Sequence, residues 1–161
     1  MIQTPTELMA ERVRLGLSRK ELASLTGDTE SFIRQVEHTK ALNIPLHVVR
    51  ELKRLAAIRH GMQCDWQPQT SPIILLTYHS DDDLNQNGTV WDNMAPTASF
   101  HRSLCSHLAS VLRSHYDVLL IAFNYSLFAA SRYGGEDTPQ NRRAWALDWS
   151  KQYRIIEEER T

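Results

Sequence analysis

The 161-residue sequence predicts an α+β fold: an all-α unit of four or five helices at the amino terminus, followed by a small α/β unit. Three observations carry that prediction. Over residues 1–62 apolar side chains recur three and four apart between helix-capping signals. From Pro72 the pattern changes to short apolar runs of strand length separated by a helical stretch. Charge divides at the same place: residues 1–62 hold ten Lys/Arg against seven Asp/Glu, or +3, whereas residues 63–161 hold eight against twelve, or −4. The boundaries are therefore 1–62, a linker over 63–71 marked by Pro68 and polar neighbours, and 72–161.

Composition bounds the class. Hydrophobic residues make up 42% and charged residues 23%, close to the globular average, so a soluble folded protein is expected. The longest apolar run, Val118 to Phe123, is strand-sized, and the amino terminus lacks the basic-then-apolar pattern of a signal peptide; no membrane partner and a cytoplasmic location follow as expectations. Cys64 and Cys105 stand alone, which suits a reducing compartment.

Thr4-Pro5-Thr6-Glu7 opens the first helix, with Thr4 as cap, Pro5 where a missing N–H costs nothing and Glu7 reaching back. Leu8, Met9 and Val13 supply its apolar stripe, and Gly16 closes it. Ser18 and Glu21 form a second capping box, so the next helix begins at Arg19 and buries Leu22, Ala23 and Leu25. Thr26-Gly27-Asp28 is its exit turn, because glycine readily takes the left-handed conformation that ends a helix. Asp28 or Thr29 then caps a third helix with Ile33 and Val36 inward and Glu30, Ser31, Arg34 and Gln35 outward. Pro45 begins a fourth, with Val48, Val49, Leu52 and Leu55 at helical spacing, expected to stop at Gly61. Ile73 to Tyr78 reads as a buried strand ended by the acidic Ser80-Asp81-Asp82-Asp83, and Asn85 to Pro96 as a long loop. A helix from Ala98 or Ser99 to near His115, a strand from Val118 to Phe123, a short helix over Tyr125 to Tyr133 and a tail helix from Asn141 complete the chain.

Several of these residues resemble a known family. Leu17-Ser18-Arg19-Lys20-Glu21-Leu22-Ala23, the turn glycine Gly27 and Ile33-x-x-Val36-Glu37-x-x-Lys40 resemble, without a gap, the helix-turn-helix of the Cro and lambda-repressor (XRE) type. The connection Ile44-Pro45-Leu46-His47-Val48-Val49 and the Pro-Ile-Ile-Leu-Leu strand are most similar to its YdiL-like branch, which includes the anti-CRISPR-associated repressors. The family often has Gln at the position of Arg19, an apolar residue at that of Asp28 and Asn-Gly at that of His38-Thr39. The resemblance implies an amino-terminal DNA-binding domain followed by a dimerisation domain. It implies a transcriptional repressor that binds an inverted-repeat operator in double-stranded DNA as a homodimer.

A helix entering the major groove needs short polar side chains at its start, and Thr29, Glu30, Ser31, Arg34 and Gln35 meet that need as base readers. Ser18, Arg19, Lys20 and Lys40 are the candidates for phosphate contacts, which set register without reading sequence. The dimer interface is expected in the second unit, where Ile73 to Tyr78 and the Trp145/Trp149 pair offer apolar surface; the same tryptophans serve equally as monomer core. Two other readings stay open: an antitoxin whose second unit binds a protein partner, and an adaptor without DNA binding. His101, Cys105 and His107 do not converge on one helix face, and Asp81 to Asp83 beside His79 suits a helix cap or solvated loop better than a cation site. With no Gly-rich phosphate loop or nucleophile elbow, neither a cofactor, a metal nor an enzymatic activity is expected.

Overall fold

The computed structural model describes residues 2–38, 43–66 and 71–158 and is mixed α/β, mostly helical. Both predicted capping boxes form. Thr4 and Glu7 close the start of α1 (Pro5–Arg14), and Ser18 and Glu21 that of α2 (Arg19–Thr26). Gly27 leaves α2 at φ 76°, the left-handed value its position required, and α3 (Glu30–His38) follows.

The buried face of α1 differs from the predicted stripe. Leu8, Arg12 and the following Leu15 are inward, while Val13 is 60% exposed. A charged residue takes the core position because Glu37 waits for it there, as described below. The fourth helix also departs from expectation. α4 (Leu46–Asp65) runs through Gly61, since Met62 one residue on is fully buried and its carbonyl accepts from Trp91 Nε1 at 3.1 Å. Residues 63–65 of the expected linker are thus helical, and 67–70 lie outside the described residues.

β1 (Ile73–Thr77) and β2 (Val118–Ala122) form a two-stranded parallel sheet with Ile73 opposite Val118 and Thr77 opposite Ala122. The expected loop between them holds structure. Ser80 caps α5 (Asp81–Asn87), and the acidic run is its first turn, where carboxylates meet the positive end of the helix dipole. A 3₁₀ turn (Asp92–Met94) leads to α6 (Ala98–Leu112), capped by Thr97. After β2 come α7 (Tyr125–Ala129) and α8 (Pro139–Glu158).

One apolar core takes residues from both halves, from Leu8 and Leu55 through Ile73 and Leu104 to Trp145. Ile73, Leu75, Tyr78 and Trp145 are buried in it, so the surface expected to be left for a dimer on β1 and Trp145 is used within the chain. Polar contacts join the halves as well. Ser103 Oγ donates to Arg14 O at 3.1 Å, Arg59 donates to the same carbonyl, and Ser99 donates to Glu21. No helix among the described residues is long and apolar enough to cross a membrane.

Candidate nucleic-acid interface

α3 is held by its inner side and open on its outer one. Ile33 and Val36 are buried against Leu22, Leu8 and their neighbours in the core, whereas Glu30, Ser31, Arg34 and Gln35 are exposed. Thr29 is exposed too, but its hydroxyl accepts from Phe32 N–H at 3.2 Å, so it acts as the cap of α3. At the start of α2, Ser18 and Lys20 are exposed, with the Ser18 hydroxyl engaged by Glu21 N–H at 3.1 Å. Arg19 is only half-exposed because its Nε donates to Glu37 Oε2 at 2.6 Å. Lys40 lies outside the described residues.

Glu37, whose side chain is 0% exposed, joins three helices. Its Oε1 accepts from Arg12 Nε of α1 at 2.6 Å and its Oε2 from Arg19 of α2, while Arg12 Nη1 donates to Leu17 O at 2.6 Å. Burial alone would raise the carboxyl pKa, but hydrogen bonds from Arg12 and Arg19 outweigh it and hold the group below the usual carboxylate range. The anchor was missed as a site in the sequence. Its signal was there: Ile33, Val36 and Glu37 are spaced i, i+3, i+4, which puts a charge on an apolar face and demands a partner.

Asp28, at the turn, donates its N–H to Ala23 O at 2.9 Å. Its Oδ2 pairs with His47 Nε2 at 2.9 Å, and the His47 ring stacks on Phe32 of α3 at 6.4 Å between centroids. Slight burial raises the Asp28 pKa, and hydrogen bonds from Thr26 and His47 bring it below normal. The turn is thereby tied to the start of α4, and the carboxylate that would repel a phosphate has a local partner.

The second half contains a separate buried polar cluster. Asp92 accepts from Tyr78 Oη at 2.7 Å, from Thr89 N and Oγ1 at 2.8 Å each, and meets His101 Nε2 at 2.9 Å. Burial raises the Asp92 pKa, but these bonds, led by His101, leave it lowered. Cys105 Sγ sits 3.7 Å from both ring nitrogens of His101. Burial pushes its thiol well above the usual range, so the sulfur is held protonated. His107 is exposed and apart from this pair, and among the described residues no three His, Cys, Asp or Glu side chains converge as metal ligands.

The chain matches no protein-family model and no curated protein sequence. The candidate interface therefore rests on its own geometry: four outward polar side chains on a helix whose inner face is held at Ile33, Val36 and Glu37.

Proposed function

We propose that the protein is a sequence-specific regulator of transcription that binds double-stranded DNA through α3, as a homodimer on an inverted repeat, and acts as a repressor. The observation that carries this reading is the two-sided character of α3. Glu30, Ser31, Arg34 and Gln35 face solvent at the start and middle of a helix that Ile33, Val36 and Glu37 hold rigidly to α1 and α2. In such a helix Arg34 suits guanine and Gln35 adenine, each bidentate pair contributing about 1–3 kcal/mol of base discrimination. Lys20 is exposed at the start of α2, which supports its reading as a phosphate contact.

Selection from a random duplex pool tests it. An enriched inverted repeat is expected, with about 10-fold to 100-fold weaker binding in Arg34→Ala or Gln35→Ala. A protein that retains no duplex even at low salt, where phosphate contacts are strongest, is not a DNA-binding regulator.

For the dimer, the exposed apolar residues of the second half support β2 as the contact. Leu120 is 39% exposed on a strand paired on one side only among the described residues, and Tyr125 and Leu127, each 45% exposed, follow it. Two antiparallel copies of β2 would extend the sheet to four strands and satisfy the open edge. Leu120→Asp is expected to shift the protein from dimer to monomer in sedimentation at micromolar concentration. An unchanged dimer would move the interface elsewhere.

A further inference from the structure

The free edge of β1 lines a cavity of about 390 Å³, within the range of small-molecule sites. Its walls are Ile74, Leu75 and Leu76 of the strand, with Trp66, Trp91 and Pro139 around them. In a parallel pair, alternate residues turn their N–H and C=O groups toward the neighbouring strand. Ile73 N–H bonds Asp117 O at 2.8 Å and Thr77 O accepts from Phe123 N–H at 2.8 Å, so residues 73, 75 and 77 are the ones facing β2. The backbone groups of Ile74 and Leu76 consequently point away from β2, toward the cavity.

Most of that outer edge is already used. Arg143 Nη2 donates to Pro72 O at 2.8 Å at one end, and Arg102 Nη1 to Tyr78 O at 2.5 Å at the other. Cys105 Sγ meets Leu76 O at 3.8 Å. What stays open among the described residues is a three-residue window whose Ile74 C=O and Leu76 N–H form an acceptor and a donor, one residue apart and aimed the same way. The window is too short for an added peptide strand but matches one edge of a flat ring that carries a donor beside an acceptor.

Charge narrows the ligand further. Asp92, on the cavity floor, is committed to Tyr78, Thr89 and His101, and Arg142 is held by both oxygens of Asp137 at 2.5 Å. Neither residue brings an unspent ionic charge to the floor; of the two other charged residues lining the cavity, Arg143 donates to Pro72 O and Asp65 is exposed to solvent, while the half-buried indoles of Trp66 and Trp91 offer apolar ring surface. We propose that this cavity binds a neutral purine-type base or its nucleoside, its donor–acceptor edge on Ile74 C=O and Leu76 N–H and its ring against the tryptophans. An adenine amino group next to a ring nitrogen is such an edge. The site does not depend on whether α3 binds DNA.

Tryptophan fluorescence and calorimetry on the full chain test it with adenine, N6,N6-dimethyladenine, indole and an acetylated, amidated Val-Leu-Val tripeptide. Saturable one-to-one binding of adenine is expected, at least tenfold weaker for the dimethyl analogue, which lacks the donor, and for indole, which lacks the paired edge. Trp66→Ala is expected to weaken adenine binding about tenfold, the lower end of what one stacked base contributes. The ligand series decides alone should that variant not fold. No adenine binding at millimolar concentration, equal affinity for dimethyladenine or indole, unchanged affinity in folded Trp66→Ala, or tighter binding of the tripeptide would each overturn the proposal.

Discussion

Glu37 takes the desolvation of a carboxylate into the core and offsets it with two guanidinium groups from two other helices. Replacing either side of such a pair leaves the remaining charge unpaired, so Glu37→Gln is expected to lower stability by about 3 kcal/mol at pH 7, measured by urea unfolding. The pH dependence has a definite sign. The folded-state pKa of Glu37 lies below its ordinary value of 4.5, so the wild type holds this contribution above that value and loses it as pH falls through the lowered one. The gap between wild type and Glu37→Gln should therefore be full at pH 7 and narrow toward pH 3; a gap that stays constant would show that shape and not charge makes the anchor. Residues 12 and 37 were each legible as charges on apolar faces, Arg12 four after Leu8 and Glu37 four after Ile33. That they meet was not legible, because it depends on how α1 and α3 cross.

At the scale of elements, what could be read were the features decided within a few residues. The two capping boxes and the Gly27 turn depend on side chains three apart and on one left-handed residue, and all three form as expected. The end of α4 and the loop before α6 were misread for the opposite reason. Gly61 carries a stop signal locally, but burial of Met62 and the Trp91 bond to its carbonyl continue the helix. Asp81 to Asp83 follow the end of the strand and open a helix, as their cap reading allows; what fails is the loop from Asn85, whose first residues continue α5 and whose Asp92–Met94 form a 3₁₀ turn. The overrun of α4 can be measured. A Cβ at Gly61 would meet nothing within 4 Å, so Gly61→Ala is expected to stabilise the protein by about 0.5–1 kcal/mol through the lower backbone entropy of alanine. Thermal unfolding checks this, and a glycine needed as a left-handed stop would give destabilisation instead.

At the scale of the molecule, the division seen in charge and pattern near residue 62 is bridged by packing. Gly16 lies at the corner between α1 and α2, and there α6 comes against it: a Cβ on Gly16 would overlap Ser103 and stand 2.8 Å from Ser99 O. Around this contact, Ser103 and Arg59 share the Arg14 carbonyl, and Ser99 bonds Glu21 of the α2 capping box. Gly27 is the matched control. Both glycines have φ 76°, but nothing lies within 4 Å of a Cβ at Gly27. Gly27→Ala should then cost only the left-handed strain, about 1–2 kcal/mol. Gly16→Ala carries the same strain plus the overlap with α6, about 1–3 kcal/mol more, as for other overpacked contacts. Urea unfolding of both variants gives the difference. Equal costs would mean that α6 does not rest on the α1–α2 corner in solution, whereas a larger cost at Gly16 would establish that the proposed reading head is carried on the second half as one body.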